Sequence, residues 1–263
     1  MSYRNYNKTQ RRQAISGPAV INDRADVFNP TADQKYGLGT QWNPNDGTDR
    51  LFRYAKDGGA GLSKAAMAQS LAAVANWTEQ ALTSYTAAVG DKEIQITVAT
   101  DLAANDIDHG WLCVMDGAGN DAALGDMYLI ESHTTGGTPV LQIADSSGIR
   151  TALTVDAEVS VIPNKYRDIV GVPAAAATAI PVGVPLVDWT ADYYGWIQTR
   201  GPAPLLVDTD NSVVGDQIGE TATANTICAG GIHAVTYPIW GVIMSDSTNG
   251  QADQPVMAFL TLE

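Results

Sequence analysis

Residues 93–100, EIQITVAT, show the pattern that decides this fold, because apolar Ile94, Ile96 and Val98 alternate with polar or small residues. A period of two is typical of a β-strand that buries one face. Other segments of strand length lie on both sides of it, separated by turn-forming residues. They are residues 51–54, 110–116, 126–132, 139–144, 158–162, 193–200, 205–207, 212–218, 238–245 and 256–262. The chain is therefore predicted to be mainly β, with a barrel or sandwich body.

The composition supports this fold class. The 263 residues include 25 Gly and 12 Pro, a density of chain-bending residues that argues against a helical bundle. No run of 18 apolar residues occurs, so we expect no transmembrane helix and no membrane partner. The first residues, MSYRNYNKTQRRQ, lack the apolar segment of a secretory signal.

Charge is distributed unevenly along the chain. Residues 1–64 contain ten basic and six acidic residues, whereas the remainder contains five basic and 23 acidic residues, within a total net charge of −14. A basic segment ahead of an acidic body indicates two separate tasks. The acidic body argues against a nucleic-acid partner, because it would repel phosphate.

Residues 1–35 lack sustained periodicity and are predicted to form an extended N-terminal arm that becomes ordered on binding. The arm combines basic side chains with aromatic and aliphatic anchors. The residues predicted to contact a partner are Tyr3, Arg4, Tyr6, Lys8, Arg11, Arg12, Ile15 and Phe28. The alternative interpretation is a frayed terminus whose charges are only solvated.

Three further segments follow the arm. Residues 36–89 are predicted to form a hairpin and one Ala-rich helix at 63–84, with residues 90–171 as a β-domain and residues 172–263 as a second β-segment that closes the barrel or sandwich. The Ala/Pro-rich stretch 172–185 is interpreted as a connector or an edge segment. The helix would present one apolar stripe at spacings of four, three and three. Its members, Met67, Leu71, Val74 and Trp77, are predicted oligomer contacts, in a homotrimer or alternatively a dimer.

The residues that carry chemistry are few. Ser132 precedes His133, but neighbouring strand residues point to opposite faces, and His133 is interpreted as a surface residue. Cys113 lies within an apolar strand, which favours a core role over a reactive thiolate. Asp208 and Asp210 imitate the start of a calcium loop, but Gly and Glu are missing at its sixth and twelfth positions. We therefore predict no catalytic residues, no metal site and no cofactor.

Several segments resemble capsid decoration (cement) proteins of tailed bacteriophages. The similarity rests on residues 36–40 (YGLGT), 51–59 (LFRYAKDGG), 192–203 (DYYGWIQTRGPA), 238–242 (PIWGV) and 258–262 (AFLTL). It covers roughly residues 36–60 and 188–263, and leaves 90–165 unmatched. The resemblance implies a non-enzymatic protein that binds the major capsid protein, on the outer surface of a virion, after synthesis in the cytoplasm of the bacterial host.

Two other functions stay open. One is a structural protein of the phage tail, such as a tail-tube protein. The other is a carbohydrate-binding β-module, which six Trp and ten Tyr residues suggest. A hydrolase is the least favoured class, because no nucleophile, base and orienting residue come together in the sequence.

Overall fold

A computed structural model describes residues 26–82, 85–116, 121–173, 178–207, 213–219, 228–229, 239–245 and 255–263. Strands dominate these residues, so the prediction of a mainly β protein is confirmed. The strands are β1 Gln41–Trp42, β2 Leu51–Lys56, β3 Ala68–Gln69, β4 Gln80–Ala81, β5 Glu93–Gln95, β6 Trp111–Asp116, β7 Met127–His133, β8 Val140–Ile143, β9 Glu158–Ile162, β10 Val170–Gly171, β11 Pro181–Pro185, β12 Tyr194–Leu206, β13 Gln217–Gly219, β14 Cys228–Ala229, β15 Gly241–Ile243 and β16 Pro255–Thr261. Two short 3₁₀ helices occur at Ala75–Trp77 and Asp121–Ala123.

The chain divides into two compact units. Unit 1 comprises Met1–Ala72 and Lys165–Glu263, and unit 2 comprises Ala73–Asn164. Unit 2 is thus an insertion in the sequence of unit 1. The segment boundaries predicted from the sequence, at 35/36, 89/90 and 171/172, do not coincide with the divisions at 72/73 and 164/165.

The sheet of unit 1 has ten described strands, all of them antiparallel to their neighbours. Its order is β10-β3-β11-β12-β16-β15-β13-β14, while β2 pairs with β12 and β1 pairs with β2. The predicted strands at 193–200 and 205–207 are one continuous 13-residue strand, β12. The 172–185 stretch does not stay at the edge. Its last five residues form β11 between β3 and β12, because the two prolines of that strand stand at its ends.

The sheet of unit 2 has the order β4-β9-β6-β7-β8-β5 among the described residues. Its inward face is made of alternate residues, including Leu112 and Val114 on β6 and Ile130 on β7, all essentially without exposed surface. In the 93–100 segment, Ile94, Ile96 and Val98 are buried as the alternation predicted, although the strand itself ends at Gln95. These residues belong to one core cluster whose members all lie in unit 2.

The predicted Ala-rich helix at 63–84 is wrong. Within its described residues, 63–82, the chain forms β3, one 3₁₀ turn and β4, and Ala65 has a left-handed φ of 65° that no α-helix contains. The division between the units falls inside this segment, after Ala72. Residues before the division belong to the sheet of unit 1 and residues after it to the sheet of unit 2. A helix over this segment would therefore have no single core against which to pack its apolar side.

A partly buried carboxylate, that of Glu263, is held by three side chains of unit 1. The Glu263 side chain accepts hydrogen bonds from Arg53 Nε at 2.7 Å, from the Tyr166 hydroxyl at 2.5 Å and from Lys165 Nζ at 3.3 Å. Burial favours the neutral acid, but the Tyr166 and Arg53 donors outweigh it and hold the pKa of Glu263 below its usual value. In the described part of the chain, no helix has the length and apolar character needed to cross a bilayer.

Candidate functional site

The described end of the predicted arm packs against unit 1. Thr31 exchanges two backbone hydrogen bonds of 2.8 Å with Tyr194, and the Lys35 N–H donates to the Tyr54 hydroxyl at 3.0 Å. Val27 is buried, whereas 63% of Phe28 is exposed. Residues 26–35, predicted as part of the arm, therefore contact the body, and Phe28 is the apolar side chain that this segment presents to solvent.

The other predicted arm contacts lie outside the described residues. They are Tyr3, Arg4, Tyr6, Lys8, Arg11, Arg12 and Ile15. Their role as partner contacts stays a prediction that rests on the sequence.

The predicted oligomer contacts do not form one surface. Met67 is completely buried in a core cluster of unit 1. Trp77 is buried in the core of unit 2, where its Nε1–H donates to the Thr100 carbonyl at 2.9 Å, and Val74 packs against that core. Leu71 is 39% exposed. The stripe is absent because Met67 and Leu71 flank strand β3 of unit 1, whereas Val74 and Trp77 belong to a 3₁₀ turn of unit 2.

An aromatic cluster supports a cleft in unit 1. Trp196 lies 5.2 Å from both Tyr36 and Tyr54 between ring centroids, and Trp42 lies 5.1 Å from Phe52. Burial raises the pKa of Tyr54 to about 12. The cleft beside these rings has a volume of about 760 Å³. It is lined by Asp26, Val27, Phe28, Trp42, Asn43, Pro44, Asn45, Asp46, Arg50 and Phe52.

The polar wall of the cleft is held by local contacts. Asp46 accepts hydrogen bonds from Thr48 and, at 2.6 Å, from Arg50 Nη2. The Thr48 hydroxyl, followed by Arg50, lowers the pKa of Asp46 to about 2. The Asp46 carboxylate therefore stays ionised near neutral pH, and a ligand would meet a fixed anion and cation beside the exposed Phe28 ring.

Unit 2 carries apolar side chains on its outward sheet face. Trp111 on β6 stands directly between Leu129 on β7 and Ile162 on β9. Cys113, predicted from the sequence as a core residue, instead lies partly exposed on this outward face, opposite Met127. Trp111, Met127 and Ile162 are each nearly half exposed. We call these five residues the tryptophan face.

Carboxylates stand at both ends of the tryptophan face. Asp116 pairs with Glu158 across β6 and β9, and Glu131 follows Leu129 by two residues on β7, which places it on the same side of the sheet. Unit 2 as a whole contains thirteen acidic and two basic residues, a net charge of −11. This face is therefore apolar at its centre and acidic at its rim.

Unit 1 carries a second outward apolar surface, on strands β12, β16 and β15. Cross-strand pairs bring Pro202 to Phe259, Pro204 to Met257 and Leu206 to Pro255, and Phe259 also stands opposite Val242. Met257 is 52% exposed and Val242 is 37% exposed. We call these seven residues the proline–methionine face.

Sequence reasoning missed both faces, although a signal for them exists. In residues 110–116, GWLCVMD, and 256–262, VMAFLTL, apolar residues occupy both parities of the strand. A strand that is half exposed in an antiparallel sheet normally shows one apolar and one polar parity. Apolar residues on both parities therefore indicate a second contact on the outer side.

In the described part of the chain, His133 lies beside a carboxylate, with its Nε2 3.7 Å from Oδ1 of Asp108. His133, expected on the surface, has a fully buried side chain, with Nδ1 2.9 Å from the Thr134 carbonyl and Nε2 accepting from the Ile107 N–H at 3.3 Å. Both ring nitrogens are therefore engaged in backbone contacts. Among the described residues, no three His, Cys, Asp or Glu side chains converge as metal ligands would. Asp208 and Asp210 lie outside those residues.

Comparison of the chain with protein-family models, curated proteins and solved structures finds no match in any of the three. The fold and the surfaces define the class by themselves. The chain is a two-unit antiparallel β protein with apolar side chains on the outer faces of both sheets and an acidic charge concentrated in unit 2.

Proposed function

We propose that this chain is a non-enzymatic structural protein of a tailed-phage virion, which binds the outside of the head and stabilises the capsid shell. The observation that carries the proposal is the outward placement of apolar side chains on the sheets of both units. Exposed apolar patches are typical of protein–protein contact surfaces. A shell-binding protein needs such surfaces more than it needs an enclosed reaction site.

The partners in this proposal are the major capsid protein and further copies of the chain, as a homotrimer or alternatively a dimer. The N-terminal residues supply the contact with the shell. Five of the first 25 residues are basic and one is acidic, and the exposed Phe28 follows them. Tyrosine and arginine are enriched at binding hot spots, and several arms in one assembly add their contacts through effective concentration.

The test uses purified phage heads that lack their decoration protein. We expect the full chain to co-sediment with these heads, and its binding to weaken as salt is added, because exposed charge pairs are screened. A variant without residues 1–24 should stay folded but no longer co-sediment. A matched control keeps the arm and replaces Arg4, Lys8, Arg11 and Arg12 by Gln, which separates charge from length.

The outcomes distinguish three situations. Decoration by the truncated variant as tight as by the full chain would place the contact on the β-body instead of the arm. Failure of both forms to bind heads would contradict the proposed function. Images of whole particles with a labelled chain would separate the head from the tail, since a tail protein is the alternative within the same virion.

Carbohydrate binding is the second candidate, and the cleft of unit 1 favours it. A concave site of about 760 Å³ that combines the exposed Phe28 ring with Asn, Asp and Arg side chains offers both an apolar contact and hydrogen bonds to a sugar. A glycan array with the full chain tests it. Binding that is lost in Arg50→Met and kept in Arg200→Met, an exposed arginine of the same unit outside the cleft lining, would support this candidate.

A further inference from the structure

The proline–methionine face is free of charge over its whole described extent. Its side chains come from Pro, Leu, Val, Met and Phe, and the nearest charged residue on β12 is Arg200, which forms an ion pair with Asp49 at 3.0 Å. The neighbouring Met244 is also apolar and 41% exposed. A patch of this composition gains free energy when a similar patch covers it, because both lose apolar surface to water.

The second half of β12, which carries three residues of this face, is closed to edge-on association. Along its second half, β12 carries Pro202 and Pro204, which have no N–H to offer to an added strand. The Gln198 side chain also donates to the carbonyls of Arg200, at 2.9 Å, and Pro202, at 2.7 Å. A partner is therefore directed to the face of this strand and not to its edge.

Charge decides which partner fits. The chain has a net charge of −14, so two copies repel each other unless the surfaces that touch carry little charge. Unit 1 contains thirteen basic and sixteen acidic residues, a net charge of −3, against −11 for unit 2. The tryptophan face brings Asp116, Glu131 and Glu158 to its rim, and a second copy would set these carboxylates against their own kind.

We infer that the proline–methionine face of unit 1 is the surface on which a second copy of this chain packs, sheet against sheet. This inference rests on one part of the proposed function, the assembly of several copies of the chain, and it identifies the surface through which they contact each other. The partner is a second copy of the chain. In a two-fold contact the same face meets itself, and because this face is uncharged, the contact brings no like charges together. It replaces Met67, Leu71, Val74 and Trp77 as the self-contact.

The experiment measures the assembly of the full chain by sedimentation velocity over a range of concentrations, with no phage head present. The test variant carries Val242→Lys and Met257→Lys. The matched control carries Trp111→Lys and Met127→Lys, which add the same charge to equally exposed apolar positions of unit 2. We expect the wild type and the control to assemble, and the self-affinity of the test variant to fall by about 100-fold or more, because each buried lysine would lack a counter-charge.

A second measurement on the wild type keeps the inference testable if a variant fails to fold. Met257 and Met127 are 52% and 47% exposed in the single chain, so peroxide should oxidise them at similar rates in dilute solution. At concentrations where the chain assembles, Met257 should be protected and Met127 should not. A monomeric wild type, assembly that only the unit 2 control disrupts, or equal oxidation of both methionines would overturn the inference. Each of these results leaves the head-binding assay to decide the proposed function separately.

Discussion

The two units bury their cores in the same way, but the outward faces of their sheets differ in charge. Each buries the inward parity of an antiparallel sheet, and each places apolar side chains on the outward parity as well. In unit 2, carboxylates stand at the ends of the apolar centre, and the unit carries a charge of −11. In unit 1, all seven residues of the proline–methionine face are uncharged.

In both units, therefore, the core and the outer face of the sheet have separate roles. The inward residues decide that a sheet forms, because burial of apolar area is the main driving force. The charge around the outward residues decides what can cover the sheet, because like charges brought together at a contact are costly. Because the core clusters of the two units share no residues, we expect a change in one unit to leave the fold of the other intact.

The largest expected effect comes from removing unit 2. Strands β3 and β10 pair antiparallel, with Gln69 opposite Val170, so the chain leaves and rejoins unit 1 on neighbouring strands. A variant with a short Gly-Ser linker in place of residues 73–164 should therefore fold as unit 1, with its net charge reduced from −14 to −3. Circular dichroism and amide exchange of β12 and β16 measure this outcome. An unfolded product would show that unit 1 needs the insertion.

Truncation of a core leucine should destabilise its own unit by about 2–5 kcal/mol. Leu112 in unit 2 and Leu260 in unit 1 are both fully buried, and each belongs to a cluster whose members lie in one unit. In Leu112→Ala, we expect faster amide exchange in β6, β7 and β9 and unchanged exchange in β12 and β16. Leu260→Ala should give the reverse pattern. Uniform loss of protection in both variants would contradict separate cores.

Glu263→Gln should lower the stability of unit 1 by about 1–3 kcal/mol at neutral pH, because Arg53 would lose its partly buried charged partner. The pKa of Glu263 is held below its usual 4.5 in the folded chain, so its contribution is present above that pH and is lost as the pH falls through the folded value. Denaturant titrations from pH 7 to pH 3 should show a smaller acid-induced loss in the variant. An unchanged pH profile would contradict this role.

Asp126→Asn in unit 2 should have the smallest effect, below about 1 kcal/mol. Asp126 pairs with Arg150 at 3.1 Å, but the Arg150 side chain is 48% exposed, so solvent screens the pair. The stability of the Asp126→Asn variant should also decrease less with added salt than the stability of the wild type, because the variant has no ion pair to screen. A loss as large as that of Glu263→Gln would show that the two ion pairs do not differ as their exposure indicates.

Much of the fold was predictable because strand periodicity is a local property. The predicted segments 110–116, 126–132, 139–144 and 158–162 correspond to β6, β7, β8 and β9. The helix prediction at 63–84 failed because a helical period in an Ala-rich segment does not show that its first part pairs with one sheet and its second part with another. The exposed residues of the candidate surfaces were missed because alternation alone does not tell a doubly buried strand from one with an exposed apolar face.

The recurring Gly-Trp and Trp-Gly pairs show where sequence reasoning stops. They occur at 110–111, 195–196 and 240–241, and nothing near them in the sequence explains why glycine is needed there. In the sheets, a Cβ at Gly110 would lie 2.3 Å from the Ile162 carbonyl oxygen, and one at Gly241 would lie 2.2 Å from that of Phe259. Only glycine tolerates such an approach of a neighbouring strand, and the neighbouring strand is known only after the chain has folded.

The mainly β class, the turns, the inward parity of most strands and the unequal charge of the chain follow from the amino-acid sequence alone, because each depends on residues close together along the chain. The three-dimensional structure was needed to show that residues 73–164 form a unit inserted in another, that Met67 and Trp77 belong to different cores, and which apolar residues remain exposed. These properties depend on pairings between distant strands, such as β12 with β2 and β16, and such pairings are set by the burial of the whole sheet and not by any one segment.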